Sequence, residues 1–144
     1  MFRKVLLVCV GNICRSPAAE VMLRAAVSGR DLEVASAGLA AMAGRPMDAT
    51  SKALLQEVGL DGSAHKARQI DDELLRWADL ILVMELKHLD RIVAVAPHTT
   101  GKAFLLGKWQ SEREIPDPYR QQRAAFEHVH GLIEEAVAGW CRYL

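Results

Sequence analysis

Apolar residues fall in short runs separated by longer amphipathic stretches. The run from Lys4 to Val8, rich in valine and leucine, has the pattern of a strand buried on both faces. A Gly-Asn turn follows. Ser16-Pro17 then reads as a helix start, with Ser16 at the N-cap, Pro17 at the first helical position and Glu20 in the first turn. A stripe of Ala18, Val21, Met22 and Ala25 carries this helix to near Gly29. "DLEVASAG" alternates at Leu32 and Val34 and predicts a second strand ending at Ser36 to Gly38. "LAAMAGRP" reads as a flexible loop. Asp48 is placed to cap a helix through Val58 closed by Gly59, and Asp71 a short helical turn ending around Trp77. Asp79 to Met84 predicts a third buried strand. Leu86, Leu89, Val93 and Ala96 form a helical stripe stopped by Pro97, and Lys102 to Leu106 predicts a fourth strand. After "EIPDPY" a long helix presents Phe126, Val129, Ile133, Val137 and Trp140 on one face.

Short apolar strands alternating with amphipathic helices predict an α/β fold. The expectation is a single domain over residues 1–144, with a four-stranded parallel twisted sheet of order 2-1-3-4, Rossmann-like, and helices on both faces. Ligands of such sheets bind beyond the carboxyl ends of the strands. The segment from Cys9 to Arg15 lies there, after the first strand.

Composition adds limits. With 51% hydrophobic residues the chain can build one core. Its 18 Lys and Arg balance 18 Asp and Glu, so charge points to no nucleic acid or acidic surface, and any anion site must be built locally. The apolar start is too short for a signal peptide, and no stretch has the roughly 20 apolar residues that span a bilayer. A cytoplasmic monomer without membrane insertion is expected. Structural disulfides are rare in that compartment, and three cysteines are an odd count for a disulfide framework.

"VCVGNICRSP" (Val8 to Pro17) concentrates the chemistry. The spacing of Cys9 and Cys14 does not suit zinc, and the only other cysteine is Cys141, which reads as packing. Neither a dinucleotide fingerprint nor a Walker loop is present. Trp77, Trp109 and Trp140 read as core or rim. No metal and no cofactor are expected. Strand, tight loop and helix start are, however, the elements of an anion site, in which successive backbone N–H groups converge and the helix dipole adds to them. Gly11 permits close backbone approach, and Asn12 tolerates a left-handed conformation. A thiol at the start of this loop is set to ionise, and Arg15 at its end offers paired hydrogen bonds to phosphate oxygens. Cys9 is therefore a candidate nucleophile. The backbone of Val10, Gly11, Asn12, Ile13, Cys14 and Arg15 is the candidate phosphate cradle.

"CVGNICRSP", the "SAG" after the second strand, "HKARQI", "DLILVM" and the late "DPY" together resemble the low-molecular-weight protein tyrosine phosphatases, over essentially the whole chain. The resemblance implies metal-independent hydrolysis of phosphotyrosine through a cysteinyl-phosphate. Asp117 would be the acid and then the base of the reaction, although Asp-Pro is also a common turn. Tyr119 would line an aromatic slot, or else serve as a surface tyrosine, and Leu39 or Met42 would form the facing wall. Ser16 would donate to the Cys9 sulfur, a role compatible with capping. Asn12, Ser36 and His65 would be the network that holds the loop in shape, with His65 structural and not a general base. Cys14 is either a small buried residue or a thiol that traps oxidised Cys9 as a disulfide.

Two other kinds of enzyme on this fold fit less well. Arsenate reductases need two further cysteines that are absent between Cys14 and Cys141. Protein-arginine phosphatases carry threonine where this chain has Ile13. A non-catalytic phosphate-binding module would keep the loop without needing both Cys9 and Asp117. The N-terminal run, the short "GLAAMAGRP" loop and "EIPDPYRQ" are most similar to bacterial enzymes linked to capsule or exopolysaccharide production. The implied partner is the tyrosine-rich tail of an autophosphorylating bacterial tyrosine kinase.

Overall fold

The computed structural model describes residues 2–144. Four strands, β1 (Lys4–Cys9), β2 (Glu33–Gly38), β3 (Leu80–Val83) and β4 (Ala103–Leu105), form one parallel sheet of order β2-β1-β3-β4, as predicted. The helices are α1 (Arg15–Ala26), α2 (Ala49–Glu57), α3 (Asp72–Trp77), α4 (Leu86–Val95) and α5 (Arg123–Cys141). The central strand β1 has neighbours on both edges and helices on both faces, so Val5 to Val8 are fully buried. Its two-residue alternation divides the core. Val5, Leu7 and Cys9 pack with Leu23, Ile133, Val137 and Trp140 under α1 and α5. Leu6 and Val8 pack with Leu75 and Ile92 under α3 and α4. In the sheet register Cys9 lies opposite Gly38, and Val8 opposite Val83. The carboxyl ends of the strands are therefore level, and the loop after Cys9 opens at that edge.

Asp48 caps α2, its Oδ1 accepting from the N–H of Thr50 at 2.9 Å, and Asp71 caps α3 through the N–H of Leu74 at 2.8 Å. The predicted apolar face of α5 is buried in full. Trp140 is core, its indole donating to the Leu106 carbonyl at 2.9 Å, while Trp109 stacks on Tyr143 at the rim. Cys141 packs half-buried against the core.

Several local expectations need correction. Helix α1 begins at Arg15, not after Ser16, and Cys14 is its N-cap without a side-chain cap bond. The Ser16 hydroxyl is instead turned into the loop. Glu20 falls beyond the first turn and pairs with Arg24 at 2.8 Å. The buried face of α1 is Ala18, Ala19 and Leu23, because two adjacent alanines let the helix lie close to its neighbours; Val21 and Met22 are half-buried and Ala25 is exposed. Strand β2 does not alternate. Val34 to Gly38 are all buried, since Ala, Ser and Gly are small enough to be covered on both faces. Asp79 lies outside β3 and accepts from the N–H groups of Arg3 and Lys4 at 2.9 and 3.0 Å, tying down the start of β1. In α4 the buried line is His88 and Ile92, continued by Ala96, while Leu86 is exposed. "LAAMAGRP" is held by the hydrogen bonds of Leu39, Ala40, Met42 and Gly44 to neighbouring backbone.

Two buried histidines give the fold a pH dependence. Burial lowers the pKa of His130, bonded to Ser51 Oγ at 2.9 Å between α2 and α5, and that of His88. The unfolded chain then binds protons near the ordinary value of 6.5 that the folded chain refuses. This contribution is complete above the unfolded pKa and is lost as the pH falls below it. Melting temperature should therefore drop as the pH is lowered from 6.5. His130→Gln should flatten that limb in a calorimetric pH series, and an unchanged slope would disprove the assignment.

Candidate active site

The loop from Cys9 to Arg15 is built with its carbonyls turned outward. The Cys9, Val10 and Gly11 carbonyls accept from the N–H groups of Leu39, Ala40 and Met42, and the Ile13 carbonyl accepts from Asp48. His65 Nε2 donates to the Asn12 carbonyl at 2.6 Å, and Ala18 takes the Cys14 carbonyl. The N–H groups of Gly11 to Cys14 have no protein acceptor among the described residues. With the carbonyls pinned on the outside, the N–H edge lines the hollow of the loop, which is the arrangement that receives an anion.

Asn12 is the keystone. Its φ of 57° is left-handed, a conformation Asn tolerates better than most residues. It is fully buried with every side-chain polar atom used. Nδ2 donates to Ser16 Oγ at 2.8 Å and to Ser36 Oγ at 3.0 Å, and Oδ1 accepts from the Arg68 N–H at 3.0 Å. Since Ser16 Oγ already accepts from Asn12, its own proton is free for Cys9 Sγ, 2.9 Å away. Close approach is required at Gly38 and not at Gly11. A Cβ on Gly38 would meet the Val10 carbonyl at 2.5 Å, whereas one on Gly11 would meet Met42 at an ordinary 3.7 Å. The "HKARQI" stretch holds the surrounding loops. Besides His65 and Arg68, Gln69 bonds the Leu39 carbonyl and the Ala41 N–H.

Arg15 closes the loop and is 98% buried, which demands compensation. Both Nη1 protons are taken, by Glu85 Oε2 at 2.7 Å and by the Ile115 carbonyl at 2.9 Å. The Nε–Nη2 edge remains, the fork suited to two oxygens of one phosphate. Burial opposes the charge of Glu85, but the Arg15 hydrogen bond and charge outweigh it and hold the carboxyl below its usual range. Glu85 was not singled out from the sequence. Its place two residues beyond β3, at a carboxyl strand end, is the signal that would have marked it.

Asp117 lies across the mouth. Oδ1 accepts from the Tyr119 N–H at 3.0 Å, and Oδ2 stands 3.6 Å from Arg15 Nη2. A hollow of about 160 Å³ is lined by the loop together with Ala40, Met42, Asp117 and Tyr119. The structure thus brings Cys9, Arg15, Asp117, Met42 and Tyr119 to one cavity, with Ile13 and Cys14 in its wall. Leu39 is not among them. It is buried in the core under the sheet, and Ala40 takes the place in the wall expected of it. Cys9 and Cys14 are free thiols. Burial pushes the Cys14 thiol far up, with the Asp48, Asp117 and Cys9 charges adding to it, so Cys14 stays protonated beside Cys9. No helix among the described residues is long and apolar enough to cross a membrane.

Comparison with known proteins gives a consistent picture. A family model described as low molecular weight phosphotyrosine protein phosphatase matches residues 4–144. The low molecular weight protein-tyrosine-phosphatase Wzb of Salmonella typhimurium is 46% identical over 144 residues, covering 100% of this chain and 95% of that one. The probable low molecular weight protein-tyrosine-phosphatase AmsI of Erwinia amylovora is 44% identical, covering 100% and 99%. Among solved structures, Vibrio vulnificus Wzb in complex with benzylphosphonate superposes with a TM-score of 0.96 at 41% identity, over 100% of each chain.

Proposed function

The chain belongs to the low molecular weight phosphotyrosine protein phosphatase family, and on that premise we propose that it hydrolyses protein phosphotyrosine by metal-independent double displacement at Cys9. The observation that carries this reading is the run of unpaired N–H groups from Gly11 to Cys14 in the loop that lines one hollow with Cys9, with the Nε–Nη2 edge of Arg15 left open. The Cys9 thiolate attacks phosphorus in line. The loop N–H groups and Arg15 hold the equatorial oxygens, and Asp117 Oδ2 gives its proton to the departing phenolate oxygen. In the second step Asp117 takes a proton from water, the water oxygen displaces sulfur, and phosphate leaves. Ser16 O–H stabilises the sulfur anion in both its appearances as nucleophile and as leaving group.

The wall supports an aryl group. Met42, Ile13 and Tyr119 offer apolar surface and a ring face, and a relative of this chain is known with benzylphosphonate bound. A guanidinium substrate would place its donors against Ile13. The redox role proposed for Cys14 is condensation of its thiol with a Cys9 sulfenic acid formed by peroxide, giving a disulfide and water. We place the enzyme in the cytoplasm as a single-domain monomer. Its proposed partner is the tyrosine-rich tail of an autophosphorylating kinase in exopolysaccharide or capsule production, a reading that rests on the sequence resemblance.

A peptide panel tests the substrate class. Phosphotyrosine peptides should be turned over in EDTA, with phosphoserine and phosphoarginine peptides slower by at least about 10²-fold, the scale of discrimination by pocket contacts. Selective phosphoarginine turnover would overturn the reading of Ile13. Tight phosphate binding without turnover of any peptide would favour a binding module.

A further inference from the structure

His88 has no part in the chemistry described so far, yet its ring is almost wholly buried behind Arg15. Its Nδ1 lies 3.2 Å from the Glu85 backbone N–H, which can only donate, so Nδ1 is the accepting nitrogen. The proton of a neutral ring is then on Nε2. Burial and the Arg15 charge keep the ring neutral. Nε2 is itself buried and completes no hydrogen bond, an arrangement that calls for an explanation. Its nearest carboxylate oxygen is Glu85 Oε2, at 3.4 Å. That same oxygen receives Arg15 Nη1 at 2.7 Å.

We propose that His88 is a positioning residue for phosphoryl transfer: its Nε2–H, unpaired at rest and 3.4 Å from Glu85 Oε2, closes onto that oxygen when phosphate draws on Arg15, and so fixes the carboxylate that aims the guanidinium. The proposal rests on the phosphatase reading above. At rest the His88 backbone N–H also donates to the Glu85 carboxylate, the other half of a capping box. The exposed Lys87 ammonium stands 3.6 Å from the other oxygen, Oε1, and draws the carboxylate toward solvent. Of the charged groups acting on the ring, Arg15 and Lys87 disfavour its protonation, while Glu85 and Glu114 favour it. Protonation would put a hydrogen on Nδ1 and turn two donors face to face with the Glu85 N–H. The neutral Nε2–H form is therefore the one that serves. When phosphate enters, it takes charge from Arg15 and weakens the Arg15–Glu85 pair; Nε2–H then completes its hydrogen bond to Oε2 and keeps that oxygen in register.

Two substitutions separate this role from simple capping. In His88→Asn the amide oxygen replaces Nδ1 as acceptor, but nothing replaces the Nε2–H. In His88→Gln the amide nitrogen reaches the Nε2 position. His88→Asn should lower kcat on an aryl phosphate about tenfold with a smaller change in KM, the effect of one hydrogen bond to a charged group acting through its neighbour. His88→Gln should recover most of kcat. Nitrogen NMR of the wild-type ring, which needs neither turnover nor a variant that folds, should show the Nε2–H tautomer and a shift of that signal on adding inorganic phosphate. An Nδ1–H tautomer, an unmoved signal, full kcat in His88→Asn or no recovery in His88→Gln would each overturn the proposal. Failure of the wild-type protein to turn over aryl phosphate would count against the phosphatase reading instead.

Discussion

Cys9→Ser is expected to abolish hydrolysis of an aryl phosphate in EDTA, by at least about 10⁴-fold, the scale seen when a nucleophile is removed. Affinity for inorganic phosphate should stay within a few-fold. Serine has nearly the shape of cysteine but keeps its proton at neutral pH, so a base would have to activate it. None is in reach. The His65 ring nitrogen that faces the loop is committed to the Asn12 carbonyl at 2.6 Å, and Ser16 is a donor toward position 9. The cradle itself does not depend on sulfur. Its carbonyls are fixed by Leu39, Ala40, Met42, Asp48 and His65, none of which contacts Sγ in a hydrogen bond. Steady-state turnover and calorimetric phosphate binding on the same preparation separate the two quantities. Full turnover would remove Cys9 as the nucleophile. Joint loss of turnover and binding would make the sulfur part of the cradle.

The elements that could be read from the sequence were those governed by local rules. Strands β1 and β3 are continuous apolar runs because they are interior to the sheet, and α5 shows its buried face because its length gives the 3.6-residue period room to repeat. The Asp48 and Asp71 caps act within three residues. Errors arose where a residue answers to something distant. Ser16 looks like a cap, but its hydroxyl is claimed by Cys9 and Asn12, and the helix starts two residues earlier. The buried line of α4 runs through His88, outside the predicted stripe of Leu86, Leu89 and Val93, because the partner of this polar residue is Glu85. The resemblance offers Leu39 or Met42 for the slot wall, and only the register of that loop against Cys9 and Val10 shows that Leu39 turns inward. Glu85 was missed for the same reason. Its partner Arg15 is 70 positions away, and no short motif joins them.

Asp117→Asn should cost about 10²-fold or more in kcat on a phosphotyrosine peptide, the usual size of general acid catalysis. The geometry makes the substitution a clean one. Ile115, fully buried, bonds the Met84 carbonyl through its N–H and Arg15 through its carbonyl, so the segment carrying Asp117 is tied to the active site at that point. Pro116 and Pro118 fix the backbone on either side. The Tyr119 N–H holds Oδ1 at 3.0 Å, a bond that an amide oxygen can keep. What is lost is a transferable proton on the atom facing the pocket. A phenolate leaving group needs that proton, whereas nitrophenolate departs readily without it. The penalty should therefore shrink steeply from a tyrosyl phosphate to p-nitrophenyl phosphate, and the slope of rate against leaving-group pKa should steepen in the variant. Oδ2 also lies 3.6 Å from Arg15 Nη2, which offers a different way for the substitution to act. If Asp117 served only to orient that guanidinium, both substrates would slow by the same factor. An equal penalty for the two would thus assign Asp117 to the arginine, and an unequal one assigns it to the leaving oxygen.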